Sequence, residues 1–137
     1  LEDGHAEFVR VMGNTTGSHL AGSKSDPYGD LDRFEVTVTA AAPHLAWADL
    51  AKIDIEGHEA KLITGLPSQT WLNTDALVEV GTFENAQAIY KYLIDTDVKM
   101  FSQKSGWSQV EEPADIPTSH REGSLFLTGK PIMPWST

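Results

Sequence analysis

The 137-residue sequence predicts an α/β fold in which parallel strands are joined by crossover helices and a terminal strand runs antiparallel. Two observations carry that expectation. From Leu50 onward, short β-prone runs alternate with helical patterns, and parallel neighbours need crossovers of that kind. Near the carboxyl end, Val98 to Phe101 and Ser124 to Thr128 are two further β-prone runs, spaced so that they can pair antiparallel.

The elements follow in order. Phe8, Val9, Val11 and Met12 form one strand-like run, and Phe34, Val36 and Val38 alternate with Glu35, Thr37 and Thr39 in another. Between them, Gly13 to Asp32 holds Gly13, Gly17, Gly22, Pro27 and Gly29 among polar residues, which predicts an extended, hairpin-like excursion. Leu50 to Ile55 is the first strand of the alternating region. His58 to Thr64 follows as a short helix stopped by Gly65 and Pro67, and Ala76 to Val80 is the next strand. Ala86, Ile89, Tyr90 and Leu93 recur on one helical face, so that helix packs against the sheet. A polar segment with Pro113 and Pro117 reads as a loop or lid.

Bulk properties narrow the function. The length fits a single domain, 1–137. A formal net charge of −10, with no cluster of Lys and Arg, argues against a nucleic-acid partner. No cysteine means no disulfide framework and no thiolate chemistry, which suits the cytoplasm. Leu1 to Glu7 is neither a signal peptide nor a membrane anchor, and no membrane partner is expected. Position 1 is not methionine, so an upstream part is expected to be missing or removed.

In an open parallel sheet, ligands bind beyond the carboxyl ends of the strands. Asp54 and Glu56 end the first alternating strand and Glu79 lies near the end of the next, with neighbouring backbones about 4.8 Å apart. Crowded carboxylates bind a cation, pair with a base or shift in pKa, and a sulfonium or amino group would meet that need. Gly57 allows a sharp turn and close approach to a ligand, which leaves His58 at the mouth. An alternative needs no ligand: Asp54 or Glu56 caps the helix and Glu79 pairs with a lysine such as Lys52.

Other candidates are weaker. Gly17 to Ser25 nearly spells a phosphate-binding P-loop, but Ser23 intrudes before the lysine and Asp26-Pro27 forbids the following helix. His58-Glu59 lacks the second histidine of a zinc-protease helix, and no metal is expected, although Asp54, Glu56 and Glu59 carry the oxygen donors a hard cation prefers. Of Trp47, Trp71, Trp107 and Trp135, only Trp107, in the lid, is a candidate to stack on a ligand; the rest are expected in the core.

The stretch Lys52-Ile53-Asp54-Ile55-Glu56-Gly57-His58-Glu59, followed by Leu62 and Gly65, resembles the Lys-Ile-Asp-Val-Glu-Gly-x-Glu signature of FkbM-type methyltransferases. The resemblance covers roughly Phe34 to Lys130 and implies the fourth to seventh strands of a Rossmann-like class I methyltransferase sheet. It implies S-adenosylmethionine as cofactor, Asp54, Glu56 and His58 as catalytic candidates, and Asn14, Asp54, Gly57 and Glu79 as cofactor-binding candidates. Phe8 to Met12 with Gly13 and Asn14 resembles the family's third strand and the turn near the adenine. Ala40 and Ala41 depart from the family's Leu-Asp, and no glycine-rich turn after a first strand precedes the segment. Two functions are therefore carried forward. One is methyl transfer to an oxygen of a small-molecule acceptor or sugar, with weak or no cofactor binding expected of this stretch alone. The other is a non-catalytic module, a homo-oligomer that covers the sheet edge where the family's first strand would lie.

Overall fold

A computed structural model describes residues 2–13, 17–22 and 29–135 of the chain. Two sheets are present among them. In the first, β1 (Gly4–Val11) pairs antiparallel with β3 (Leu31–Val38) over its whole length, with Phe8 opposite Phe34, and β2 (His19–Leu20) adds to the far side of β1. Among the described residues of the excursion expected between the two long strands, His19–Leu20 form a short strand. Val9 and Val11 are buried while Arg10 between them faces water, so at this end of β1 the alternation in sequence is the alternation of faces. Phe8 and Phe34 pack at 5.6 Å between ring centroids, and the Arg10 guanidinium lies over the Phe34 ring.

The second sheet has five strands in the order β4-β5-β8-β6-β7, formed by β4 (Leu50–Ile53), β5 (Asp75–Val78), β6 (Lys99–Ser102), β7 (Ser108–Gln109) and β8 (Leu125–Thr128). Only β4 and β5 are parallel neighbours. The terminal strand β8 runs antiparallel between β5 and β6, as its pairing with the 98–101 run predicts, and β7 turns back along β6. The fold is mixed α/β, and the expectation of a mainly parallel sheet needs correction. β4, β5 and β6 share one direction, but β8 separates β6 from β5 and turns two contacts antiparallel.

The helices cover one face. Between β4 and β5 the crossover contains two helices, α2 (Glu59–Thr64) and α3 (Ser68–Asn73), and α4 (Phe83–Leu93) connects β5 to β6. A short α1 (Ala42–Leu45) precedes β4, with Pro43 in its first turn, where its missing N–H is tolerated. Ala86, Ile89 and Leu93 of α4 are fully buried against Val78, Leu125, Leu127 and Met100, together with Ile63 and Trp71. Each large side chain in this layer gains roughly 1.5–3 kcal/mol from burial. Thr82 caps α4 by accepting from the Asn85 backbone N–H at 3.2 Å.

Intervening residues of the same strands face the other way. Phe101 and Phe126 join Met133, Leu77 and Trp107 in a smaller cluster. A doubly wound sheet carries helices on both faces. Among the described residues this second face has none, and its cover comes from Trp107, Met133 and Trp135. Trp135 meets Trp107 and Phe126 edge-on at 5.4 and 4.9 Å. Trp107 is therefore a packing residue, not a free stacking platform, and Trp47, 78% exposed, lies outside the core expected for it. No helix among the described residues is long and apolar enough to cross a membrane.

Candidate functional site

The turn after β4 is built around Glu59. Its side chain, 1% exposed, accepts from the backbone N–H groups of Ile55 at 3.2 Å and Gly57 at 3.0 Å, and from Asn85 Nδ2 at 3.2 Å. Asn85 Nδ2 also donates to the Gly57 carbonyl, so one α4 side chain holds both the turn and its acidic clasp. The backbone passes through left-handed geometry at Glu56 (φ +54°) and Gly57 (φ +105°). The second of these values is open to glycine and disfavoured for other residues. Drawing the Ile55 N–H to Glu59 ends β4 at Ile53, two residues earlier than the apolar pattern implies.

Asp54 and Glu79 meet at the ends of the two parallel strands. Lys52 Nζ lies 3.5 Å from Asp54 Oδ2 and 3.4 Å from Glu79 Oε2. All three side chains are substantially exposed, so each pairing contributes no more than about 1 kcal/mol. The lysine pairing weighed for Glu79 is present. The free N–H groups of Ile55 and Gly57 are taken by Glu59, and the side chain of His58, the N-cap of α2, makes no capping hydrogen bond.

A cleft of about 800 Å³ opens between this turn and the three-stranded sheet. Asp54, Glu56, His58 and Lys61 supply its polar wall; Phe8, Val38, Ile55 and Leu62 supply apolar surface. His58 Nδ1 is buried without a hydrogen-bond partner among the described residues. Glu79 does not reach the cleft and lines a separate depression of about 630 Å³. The structure thus brings Asp54, Glu56 and His58 to one cavity, ties Glu79 to Asp54 through Lys52, and uses Gly57 as the hinge of the turn. Asn14 lies outside the described residues.

Sequence reasoning missed the organising role of Glu59 and Asn85, and the presence of His19, Thr39 and Lys61 on the cleft wall. Glu59 stood within the Glu56-Gly57-His58-Glu59 run, and a carboxylate two residues beyond a glycine turn is a legible clasp for the free N–H groups there. Nothing local marked Asn85, which arrives from a distant helix. Among the described residues no three His, Asp or Glu side chains converge in a metal-binding geometry.

Compared with known proteins, the chain matches no family model, and no curated protein or solved structure shows a significant likeness to it.

Proposed function

We propose that the chain is the carboxyl-terminal part of an S-adenosylmethionine-dependent methyltransferase of the FkbM type, acting on an oxygen of a small molecule or sugar. The observation that carries this reading is the convergence of Asp54 and Glu79 at the carboxyl ends of adjacent parallel strands, beside a cleft that also holds Glu56 and His58. Two parallel strands, a crossover through α2 and α3, and an antiparallel terminal strand beside β5 support a partial Rossmann-like class I sheet, with β4, β5, β6 and β8 standing for the family's fourth to seventh strands and β7 an addition.

The residues fit the cofactor's chemistry. Asp54 and Glu56 are suited to a cationic amino or sulfonium group, and Phe8, Val38 and Leu62 to the flat adenosine. The orphaned His58 Nδ1 needs a partner that no group among the described residues provides. S-adenosylmethionine supplies a methyl group on a sulfonium. The chain's task is to align an acceptor hydroxyl for in-line displacement and take its proton, and Asp54, Glu56 and His58 are the groups at hand. The left-handed turn at Gly57 fixes where those three side chains start.

Amide chemical-shift titration with S-adenosylhomocysteine tests the reading. Weak, saturable shifts centred on residues 54–62 are expected, and Asp54→Asn weakens them, or turnover, roughly tenfold or more. A titration that leaves those amides unmoved favours the non-catalytic module or an inert fragment, and turnover unchanged in Asp54→Asn removes Asp54 from the mechanism.

A second reading is favoured by β4, which has a hydrogen-bonded neighbour on one side only among the described residues. Its outer edge leaves backbone groups for another strand, consistent with a non-catalytic module that associates with a second copy. Light scattering that finds monomers at millimolar protein counts against that module.

A further inference from the structure

The depression beside Glu79 differs in character from the cleft. Glu79, Gln103, Lys104, Arg121, Glu122 and Ser124 line it with His120 and Gly123, and no apolar side chain contributes. Small-molecule pockets usually mix an apolar wall with a few polar groups; an all-polar wall of about 630 Å³ selects a hydrophilic occupant of roughly sugar size. It lies beyond the carboxyl ends of β5 and β6, where an open sheet leaves its ligand crevice.

Its charges are unevenly committed. Glu79 is paired with Lys52, and Glu122 with Lys104 at 3.2 Å. Both carboxylates are therefore balanced inside the wall, while Arg121 and His120 engage no side chain or backbone group among the described residues. In a chain of net charge −10 this leaves an uncompensated guanidinium at the rim of a polar pocket. The pocket floor is held in place. Gln103 Oε1 accepts from the Ser124 backbone N–H at 3.0 Å, and Gly123 (φ +95°) leaves no room for a Cβ, which would fall 2.4 Å from Gln103 Oε1. Glu122 Oε2 accepts from the backbone N–H of Thr118 at 2.8 Å, which ties the loop bearing His120 and Arg121 back on itself.

We infer that this pocket binds the oxyanion group of a small hydroxylated molecule, with Arg121 and His120 on the anion and Glu79, Gln103 and Ser124 on its hydroxyls. A planar guanidinium matches a carboxylate or phosphate through two parallel N–H donors. The inference does not depend on methyl transfer, because it concerns a depression separate from the cleft that holds Asp54, Glu56 and His58.

Amide chemical-shift titrations of the intact chain with glucose 6-phosphate, glucuronate and glucose test it. Saturable shifts at residues 79, 103–104 and 120–124 are expected for one or both anionic sugars below about 10 mM, with glucose at least roughly tenfold weaker. Binding of the phosphate alone or of the carboxylate alone identifies the oxyanion. Arg121→Ala, an exposed substitution whose fold is checked by circular dichroism, weakens the preferred sugar roughly tenfold or more. No shift with either anion, equal binding of glucose, or unchanged affinity in Arg121→Ala overturns the assignment.

Discussion

Glu59→Ala removes the clasp beneath the acidic turn, and its cost can be worked from three hydrogen bonds. The side chain is 1% exposed and accepts from Ile55 N, Gly57 N and Asn85 Nδ2 at 3.0–3.2 Å. Each donor left unpaired away from water costs about 1–3 kcal/mol, and Asn85 retains the Gly57 carbonyl as a second partner. Water reaching Ile55, which is 40% exposed, offsets part of the rest. The net loss is therefore about 3–5 kcal/mol, a large share of a small domain's stability. Glu59→Gln keeps one acceptor oxygen and loses about 1–2 kcal/mol. With a urea slope of about 2 kcal/mol per molar, the alanine variant unfolds at a midpoint roughly 1.5–2.5 M lower. Urea titration followed by tryptophan fluorescence reads both shifts. A loss below about 1 kcal/mol for Glu59→Ala, or a larger loss for glutamine than for alanine, refutes the view that this carboxylate organises the turn.

Gly57→Ala places a Cβ on a residue at φ +105° and lowers stability by about 1–3 kcal/mol, read as a drop in thermal midpoint; an unchanged midpoint shows the turn can adopt another geometry. Gly129→Ala pushes a Cβ to 2.5 Å from the Leu72 carbonyl oxygen, so α3 must shift, at about 1–3 kcal/mol by chemical denaturation. Acid loosens the 111–124 loop. Asp115 is held below the usual carboxylate range chiefly by the Glu111 N–H and then the Glu112 N–H, and Glu122 by the Thr118 N–H and then Lys104. Because both folded values are depressed, their stabilising contribution is complete above the ordinary values of 3.8 and 4.5 and disappears as pH falls through the lower folded ones. Amide exchange in that loop is expected to quicken below about pH 4 while α4 stays protected, and simultaneous loss in both would count against a local effect.

Local signals were legible where burial and periodicity agree. The i, i+3, i+4, i+7 spacing in α4 marks the face that is buried, and Leu125-Phe126-Leu127 of β8 is an unbroken apolar run because the strand is covered on both sides. The turn at Gly57 was legible for a different reason, since a positive φ leaves glycine as the suitable residue. What failed was long-range. Pro67 reads locally as the stop after α2, yet it is also the residue from which α3 starts, and Ser68–Asn73 has one fully buried side chain, too few to show a period. The insertion of β8 between β5 and β6 depends on contacts far apart in the chain, and no local pattern specifies that order. At the site, Asp54 and Glu79 were placed together by strand adjacency, and both reach Lys52, but the assignment of the two to separate cavities depends on the surrounding loops and was not legible. The clasp from Asn85 was not legible, because it depends on how α4 lies over the turn.

Lys52 also sets the terms on which any positive group reaches the end of β4. Its ammonium is already the counter-ion of two carboxylates, so an incoming cation exchanges with it and gains only the difference between two partners. Ligand selection there is a competition against a tethered rival, in which shape and desolvation decide more than charge. Such an exchange leaves the freed lysine head in water, where ions in the buffer can compensate it; the apparent affinity of a cationic ligand should therefore vary little with ionic strength.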